Sequence, residues 1–366
     1  MRPVTKPAKP ANYPPSPTLT FNGANAVAIA ANTNPVSPLG TTTFTLDQLV
    51  NVWLKAVKAV PPPAKGAPLK KAQSAISGRI SDIYKAASTP LTQNLGPFCS
   101  YCEIPLSGLL EVEHCAPKAN YPTYSIEWEN FLLACGACNN VKRDNPSRAI
   151  ATAWTEKVNP TEAELYDQIR EWHYFFPDTA SASYTEMPVS LQYLDTSVAP
   201  PQWKTFNDKI AANPNNFIVS QDVTNRSVIA RLFDHAGVSH DFQVQAVVIS
   251  KTSGLDPDIA QEMIDLCGLN ICKDITSTYD RRVMNRTIAW FTALKALNNL
   301  HQATGNQGHQ KILWDMTKMI AVASGFYSVW LKLLVIIFNN NVGSAFVTQT
   351  NVIGQFPGTN KKDLPS

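Results

Sequence analysis

Four of the seven cysteines form two Cys-x-x-Cys pairs, Cys99 with Cys102 and Cys135 with Cys138. A gap of two residues lets both thiolates of a pair face one ion, and four thiolates form the tetrahedral shell that structural zinc prefers. In a reducing compartment, such pairs indicate metal binding and not a disulfide framework. We therefore predict a structural Zn²⁺ bound by these four residues. The alternative is that the four cysteines only fill a core.

Residues between and after the two pairs suit the hydrolysis of a phosphodiester bond. Glu113 and His114 stand in a Glu-His-x-x-Pro stretch, Asn130 precedes the second pair and Asn139 follows it. The reaction needs a metal ion to stabilise developing charge, a base to activate water, and a fixed geometry between them. A neutral imidazole is a suitable base at neutral pH. Residues 112–114 are predicted to end a strand, which places the Glu113 and His114 side chains on opposite faces unless the strand twists or bulges.

The order of these motifs, Cys-x-x-Cys, Glu-His-x-x-Pro, Asn and Cys-x-x-Cys-Asn-x-x-Lys, resembles the HNH endonuclease family in its four-cysteine zinc subtype. The resemblance implies a ββα-metal (His-Me finger) module. It also implies that Glu113 binds the catalytic ion, that His114 is the general base, and that Asn130 braces the histidine loop through a backbone hydrogen bond. Asn139 is then the second ligand of the catalytic ion, and Asn140 is a less favoured substitute.

Two basic residues and a second metal complete the site that the resemblance implies. Lys142, one helical turn after Asn139, is expected to meet the scissile or a neighbouring phosphate, with Arg143 beside it. Oxygen ligands suit Mg²⁺ or Mn²⁺, so the catalytic ion is expected to be separate from the zinc. This chain has Glu and Asn where the commonest family pattern has Asp and His, which leaves the coordination geometry open.

Shorter similarities outside this region resemble the HNH subunits of Septu-type bacterial anti-phage systems, which work with an ATPase partner. They lie at residues 1–4, 98–103, 280–282 and 324–330. Three arginines, Arg281, Arg282 and Arg286, share a helical region near the third of these segments. They either hold a phosphate or an acidic partner, or form a solvated or salt-bridged face.

The composition excludes a disordered chain but does not by itself indicate a nucleic-acid partner. Of 366 residues, 44% are hydrophobic and 16% are charged, whereas a disordered chain is poor in apolar residues and rich in charge. The net charge of +3 is too small to indicate nucleic-acid binding without a site. No secretory signal is recognisable before Gly40, so we expect a cytoplasmic protein.

One apolar stretch, residues 319–338, has the length of a membrane span. Lys332 interrupts it, and a lysine near the middle of a span costs about 2.5–3.5 kcal/mol on insertion scales. The stretch is therefore predicted to be a buried core helix, with a membrane helix as the alternative. We predict no membrane partner.

The chain is predicted to be an α+β protein in which the zinc-bound module is embedded among helices. Thr45 and Gln48 have the spacing of a capping box, and the helix that they start is expected to stop at a run of three prolines. A second helix is expected to end before Pro90. The three remaining cysteines are predicted to pack in a core. The predicted regions are an extended proline-rich arm (1–45), a helical hairpin (46–95), the nuclease module with zinc (96–150), a mixed accessory region (151–272), a C-terminal helical region (273–338) and a tail (339–366).

Together these features predict a metal-dependent HNH endonuclease that cuts DNA by attack of water, as a defence effector with a partner protein. RNA is the alternative substrate, because phosphodiester chemistry does not reveal the sugar. The rival prediction is a non-catalytic zinc module that binds nucleic acid or protein. That rival explains the cysteines equally well, but it gives no reason for the placement of Glu113, His114, Asn130 and Asn139. The sequence predicts no oligomeric state.

Overall fold

The computed structural model shows a mixed α/β protein whose described residues form helices and three small antiparallel sheets. The predicted tail and Cys272 lie outside the described residues. The structure describes residues 4–33, 42–106, 108, 110–155, 157–179, 187–222, 227–233, 238–250, 257–271, 280–303 and 307–338.

The N-terminal region contains a two-stranded sheet and a helix and is not extended throughout, in contrast to the prediction for residues 1–45. Strand β1 (Thr18–Phe21) pairs antiparallel with β2 (Thr42–Thr45), and helix α1 (Gly23–Ala30) follows β1. Helix α1 buries three alanines and an isoleucine, Ala26, Ala28, Ile29 and Ala30, which pack into a core with the next two helices. Val4 contacts a segment far along the chain, because its amide donates to the Pro177 carbonyl at 2.7 Å.

Three helices follow this two-stranded sheet, where the sequence predicted two. Helix α2 (Leu46–Lys58) starts with the predicted capping box and ends just before the prolines. Helix α3 (Pro68–Lys85) buries Ala72, Ile76, Ile80 and Ile83, which recur at the spacing of one helix face. Helix α4 (Ser88–Leu95) contains Pro90 in its first turn, where the missing N–H costs no intrahelical hydrogen bond.

The cysteine-rich region contains two strands and a helix. Strand β3 (Glu111–His114) pairs antiparallel with β4 (Phe131–Ala134), so that His114 lies opposite Phe131. Helix α5 (Gly136–Lys142) follows β4 after a single residue. All four residues of β4 are fully buried, so this strand lies in the hydrophobic core. Helices α6 (Arg148–Ala153) and α7 (Glu162–Asp167) come next, and α7 continues into a wider turn at Gln168–Trp172.

The accessory region forms a five-stranded antiparallel sheet in the order β6-β5-β9-β8-β7. The sequence predicted no such sheet. Pairing between β5 and β9 joins segments about fifty residues apart, for example Gln192 with Gln245. Helix α9 begins at Pro257, a position where the missing N–H of proline costs no intrahelical hydrogen bond. The elements are β5 (Val189–Asp195), β6 (Gln202–Thr205), α8 (Asp208–Ala211), β7 (Phe217–Asp222), β8 (Ser227–Phe233), β9 (Ser239–Val248) and α9 (Pro257–Cys267).

Three helices complete the described chain: α10 (Arg282–Gln302), α11 (Gln307–Ser324) and α12 (Tyr327–Ile337). The apolar stretch 319–338 is broken between α11 and α12, where Gly325 and Phe326 both have positive φ. Helix α12 is buried in the core, as predicted, whereas Met319 in α11 is largely exposed. No helix among the described residues is long and apolar enough to cross a membrane.

Candidate metal centre and active-site cleft

The four cysteines of the two pairs come together at one point. Their Sγ atoms all lie within 4.8 Å of one another, and the Cys102 and Cys135 sulfurs are 3.7 Å apart. A zinc ion with Zn–S bonds of about 2.3 Å in tetrahedral geometry would place its sulfurs about 3.8 Å apart. The cluster can therefore hold a metal ion such as zinc, and all four donors are of the type that zinc prefers.

Tight backbone turns hold the thiols in this arrangement. The Cys99 amide donates to the Ile104 carbonyl at 2.9 Å, which closes the first pair into a turn. Cys135 is the N-cap of α5, and its sulfur accepts from the Cys138 amide at 3.4 Å. Burial raises the pKa of Cys102 and of Cys138, whereas hydrogen bonds from neighbouring thiols lower the pKa of the half-buried Cys135. The pKa of Cys135 therefore lies below those of Cys102 and Cys138.

A buried arginine from the C-terminal helices contacts the cluster. Arg282, the first residue of α10, donates from Nη1 to the Cys138 sulfur at 3.1 Å and to the Cys267 carbonyl at 2.8 Å. Asp280 pairs with the same guanidinium at 2.6 Å. Arg282 and Arg286 are 1% and 2% exposed. These two arginines therefore do not offer the phosphate-binding face that the sequence left open, and Arg282 fits the salt-bridged alternative.

Arg282→Met is expected to weaken zinc binding by about 10–100-fold, because hydrogen bonds to metal ligands tune affinity by that amount. Competition of the purified protein with a coloured zinc chelator measures this affinity. Arg281→Met, at the exposed neighbouring residue, is the matched control and should bind zinc as the wild type does. Wild-type affinity in Arg282→Met would mean that the guanidinium does not support the thiolate.

A cleft of about 220 Å³ lies at the end of β3, beside the C-terminal half of α5. Glu113 and His114 both line it, because the strand ends there and the two side chains, although adjacent in the strand, both reach the same opening. Asn139 and Arg143 line its other side. Asn130 does not line the cleft. Four of the predicted site residues thus line one opening, whereas Asn130 and Lys142 do not.

His114 is held as a neutral imidazole. Its Nε2 lies 3.0 Å from the Ser125 carbonyl oxygen, and because a carbonyl only accepts, Nε2 carries the proton and Nδ1 is left as the basic nitrogen. The rings of Tyr84 and Phe131 pack edge-on against the imidazole, at centroid distances of 4.6 and 5.1 Å. Burial lowers the pKa of His114 to about 3, against the opposing effect of the Ser125 hydrogen bond.

Lys142 is placed differently from the expectation that it meets a phosphate. Its side chain is fully buried, with Nζ 2.8 Å from Glu113 Oε1 and 2.7 Å from the His114 carbonyl oxygen. Lys142 is therefore the buried counter-ion of Glu113, and its hydrogen bond to the His114 carbonyl connects α5 to the end of β3. Burial raises the pKa of Glu113, and the nearby ammonium of Lys142 opposes that rise. Arg143, by contrast, is exposed at the rim of the cleft.

Asn130 joins the loop after His114 to the turn before β4. Its Oδ1 accepts from the Ala116 amide at 2.8 Å, and its Nδ2 donates to the carbonyls of Ala116 and Tyr124, both at 2.9 Å. The side chain is completely buried. One amide thus satisfies three backbone groups around the histidine loop.

Asn130→Ala is expected to lower the free energy of unfolding by at least about 3 kcal/mol, because each buried backbone group left without a partner costs about 1–3 kcal/mol. Urea unfolding followed by circular dichroism measures the change. Asn94→Ala is the matched control, since Asn94 is exposed and donates only to the Pro90 carbonyl. Similar small losses in both variants would show that the Asn130 hydrogen bonds do not hold the loop.

The sequence patterns did not point to Glu111, which contacts Asn139, or to Tyr84 and Lys118, which line the cleft. The Glu111 carboxylate accepts a short hydrogen bond from Asn139 Nδ2, and Glu111 shares a strand face with Glu113 because the two are two residues apart. That Glu-x-Glu spacing was the available signal. Tyr84 and Lys118 also line the cleft, and Lys118 Nζ donates to the Tyr84 hydroxyl at 2.7 Å. Tyr84 comes from α3, so no local pattern pointed to it.

Two carboxylates and one amide oxygen are therefore available beside the cleft. Asn139 uses its Nδ2 toward Glu111, which leaves Oδ1 as the atom able to bind a cation. Oxygen donors of this kind fit Mg²⁺ or Mn²⁺ and differ from the sulfur donors of the cysteine cluster. The residues present thus fit a second, separate divalent ion.

Comparison with known proteins gives one distant relative. No protein-family model and no solved structure matches the chain. An alignment of 137 residues is 30% identical to Septu protein PtuB of Bacillus thuringiensis and covers 35% of this chain and 51% of that protein. The chain thus spans about half the length of the curated relative that it matches. Within the aligned residues, this chain is similar to a Septu protein.

Proposed function

We propose that this protein is a metal-dependent HNH endonuclease that hydrolyses phosphodiester bonds of DNA. The observation that carries the proposal is the convergence of Glu113, His114 and Asn139 on one cleft beside the cysteine cluster. A purely structural zinc site has no need of that convergence. The order strand, strand, helix in β3, β4 and α5 supports a ββα-metal assignment of the region.

His114 acts as the general base in this proposal. Its Nδ1 takes a proton from the attacking water, while the Ser125 carbonyl holds the Nε2 proton and fixes the plane of the ring. The edge-on rings of Tyr84 and Phe131 keep the imidazole from turning. Because burial keeps His114 neutral, the basic nitrogen is available at neutral pH.

Glu113, Asn139 and the neighbouring Glu111 would hold the catalytic Mg²⁺ or Mn²⁺. Such an ion supplies stabilisation of the negative charge that develops on the phosphate and the departing oxygen. The ammonium of Lys142, 2.8 Å from Glu113 Oε1, favours the ionised form of that carboxylate and holds it in place from the protein side. Arg143 at the rim is the residue positioned to contact a neighbouring phosphate. The zinc in the cysteine cluster is structural in this arrangement.

The similarity to Septu protein PtuB supports a role in anti-phage defence. We extend the proposal to a partner protein, an ATPase, on the resemblance to Septu-type systems. DNA is proposed as the substrate, and RNA is the competing polymer that the experiment must separate from it.

Incubation of the zinc-loaded protein with supercoiled plasmid and Mg²⁺ or Mn²⁺ tests the proposal. Nicked or linear DNA is expected with either ion, and no cleavage is expected when both ions are omitted. An RNA transcript of the same sequence, supplied in parallel, should be cut more slowly. No cleavage of either polymer, alone or with the co-expressed partner, would favour a non-catalytic zinc adaptor.

A further inference from the structure

The positive charge of the chain is concentrated in its N-terminal part. The first 102 residues contain ten lysines and arginines but only two acidic residues, Asp47 and Asp82. The net charge of the whole chain is only +3, so the rest of the chain carries a net negative charge. The overall charge balance therefore conceals a basic region that lies outside the cleft described above.

Four of these ten cations border a groove between α1 and α3. Two adjoining cavities of about 290 and 720 Å³ share Asn25 and Ser74 in their walls. None of the described residues that line them is acidic. We call this the basic groove, and its polar wall includes Asn25, Lys65, Lys70, Lys71, Ser74 and Arg79.

The chemistry of the basic groove fits a phosphate backbone. Lysine and arginine side chains neutralise phosphates, and amide and hydroxyl groups donate hydrogen bonds to their oxygens. The helix surface is also bare at Gly78, where a Cβ atom would meet nothing within 4 Å, so a ligand can approach the α3 backbone there. Asp82 is the nearby acid, and it lies 3.8 Å from Arg79 on the exposed side of α3.

The same helix leads from the basic groove to the active-site cleft. Tyr84, near the C-terminal end of α3, packs against the His114 ring. From Ser74 to Tyr84 the helix rises about 15 Å, at about 1.5 Å per residue. That distance equals roughly four or five base pairs of duplex DNA at about 3.4 Å each. A duplex cut beside His114 would therefore reach the groove within a few base pairs.

We propose that the basic groove binds the phosphate backbone of the DNA substrate, a few base pairs from the cleavage point. The link to the cleft rests on the proposed nuclease function, whereas the binding of phosphates by the groove does not. The competing proposal is that an acidic protein partner binds the groove. DNA binding that is as strong in a groove variant as in a control variant would favour that partner.

The test compares two triple variants with the same change in net charge. Lys65→Gln/Lys71→Gln/Arg79→Gln removes cations of the groove, and Lys295→Gln/Lys311→Gln/Lys318→Gln removes three from α10 and α11. Anisotropy of a labelled DNA duplex, without divalent ions so that no cleavage occurs, gives the affinity over a range of salt concentrations. Melting curves establish that both variants are folded, which is expected because the substituted groove residues are exposed.

The groove variant is expected to bind more weakly than the control. Its slope of log K against log salt should be shallower by about 0.9 for each phosphate that the groove no longer neutralises, or about 2 to 3 for the triple change. Equal affinity and slope in the two variants would overturn the inference and leave the nuclease proposal intact. If the wild type binds DNA but does not cut it with Mg²⁺ or Mn²⁺, the lack of cleavage would count against the nuclease proposal. Weaker binding by the groove variant would in that case still support the groove proposal.

Discussion

Replacing His114 with alanine is expected to slow metal-dependent DNA cleavage by about 10²- to 10⁴-fold, the usual loss when a general base is removed. The reason is geometric: the Ser125 carbonyl takes the Nε2 proton and leaves Nδ1 as the basic nitrogen of the ring. Initial rates of plasmid nicking at saturating Mg²⁺ measure the effect. Zinc content should not change, because His114 is not one of the cluster residues.

Two further variants separate loss of the base from loss of the fold. His114→Gln supplies an amide in place of the imidazole N–H but has no basic nitrogen, and it is expected to be as slow as His114→Ala. His240→Ala, at an exposed histidine of β9, is the matched control and should cut at the wild-type rate. Wild-type cleavage by His114→Gln in a folded, zinc-loaded protein would contradict the assignment of the base.

Cys138→Ala is expected to release zinc and to unfold the cysteine-rich region. Strands β3 and β4 have four residues each and α5 has seven, which is too little structure to be stable alone. Four-thiolate zinc sites supply about 10–16 kcal/mol of apparent binding energy, and this energy is lost with the ligand. Zinc per chain, measured by atomic absorption, and the melting temperature should both fall.

Cys267→Ala is the control for removing a buried thiol. Cys267 is fully buried but is not a member of the four-cysteine cluster, and only its backbone carbonyl accepts from Arg282. This variant should keep one zinc per chain and lose only the stability that a small cavity costs. A Cys138→Ala protein that keeps its zinc and melts with the wild type would show that the cluster does not hold the region together.

Local sequence patterns predicted those parts of the fold whose contacts are local. The capping box at Thr45 and the apolar face of α3 depend on neighbours three or four residues away, so periodicity alone revealed them. The five-stranded sheet was not predicted, because its strands alternate only weakly. Its inner strands β5 and β9 also pair across about fifty residues of chain.

The candidate site shows the same division. Short motifs contain the two cysteine pairs and the Glu113-His114 stretch. In the structure the four cysteines form one cluster, and Glu113 and His114 line one cleft. The burial of Lys142 depends on α9, which packs on α5 and brings Gly268 close to Val141. No residue near Lys142 in the sequence signals that covering, so an exposed phosphate contact was the natural expectation. The contact of Tyr84 with His114 was hidden for the same reason.

The central claim is that the cleft binds a divalent ion through oxygen atoms, separately from the zinc. Titration of the zinc-loaded protein with Mn²⁺, followed by electron paramagnetic resonance, counts that ion directly. One bound Mn²⁺ per chain is predicted, and it should be lost in both Glu113→Gln and Asn139→Ala while the zinc remains. The absence of bound Mn²⁺ in the wild type, or binding that survives both substitutions, would contradict the account.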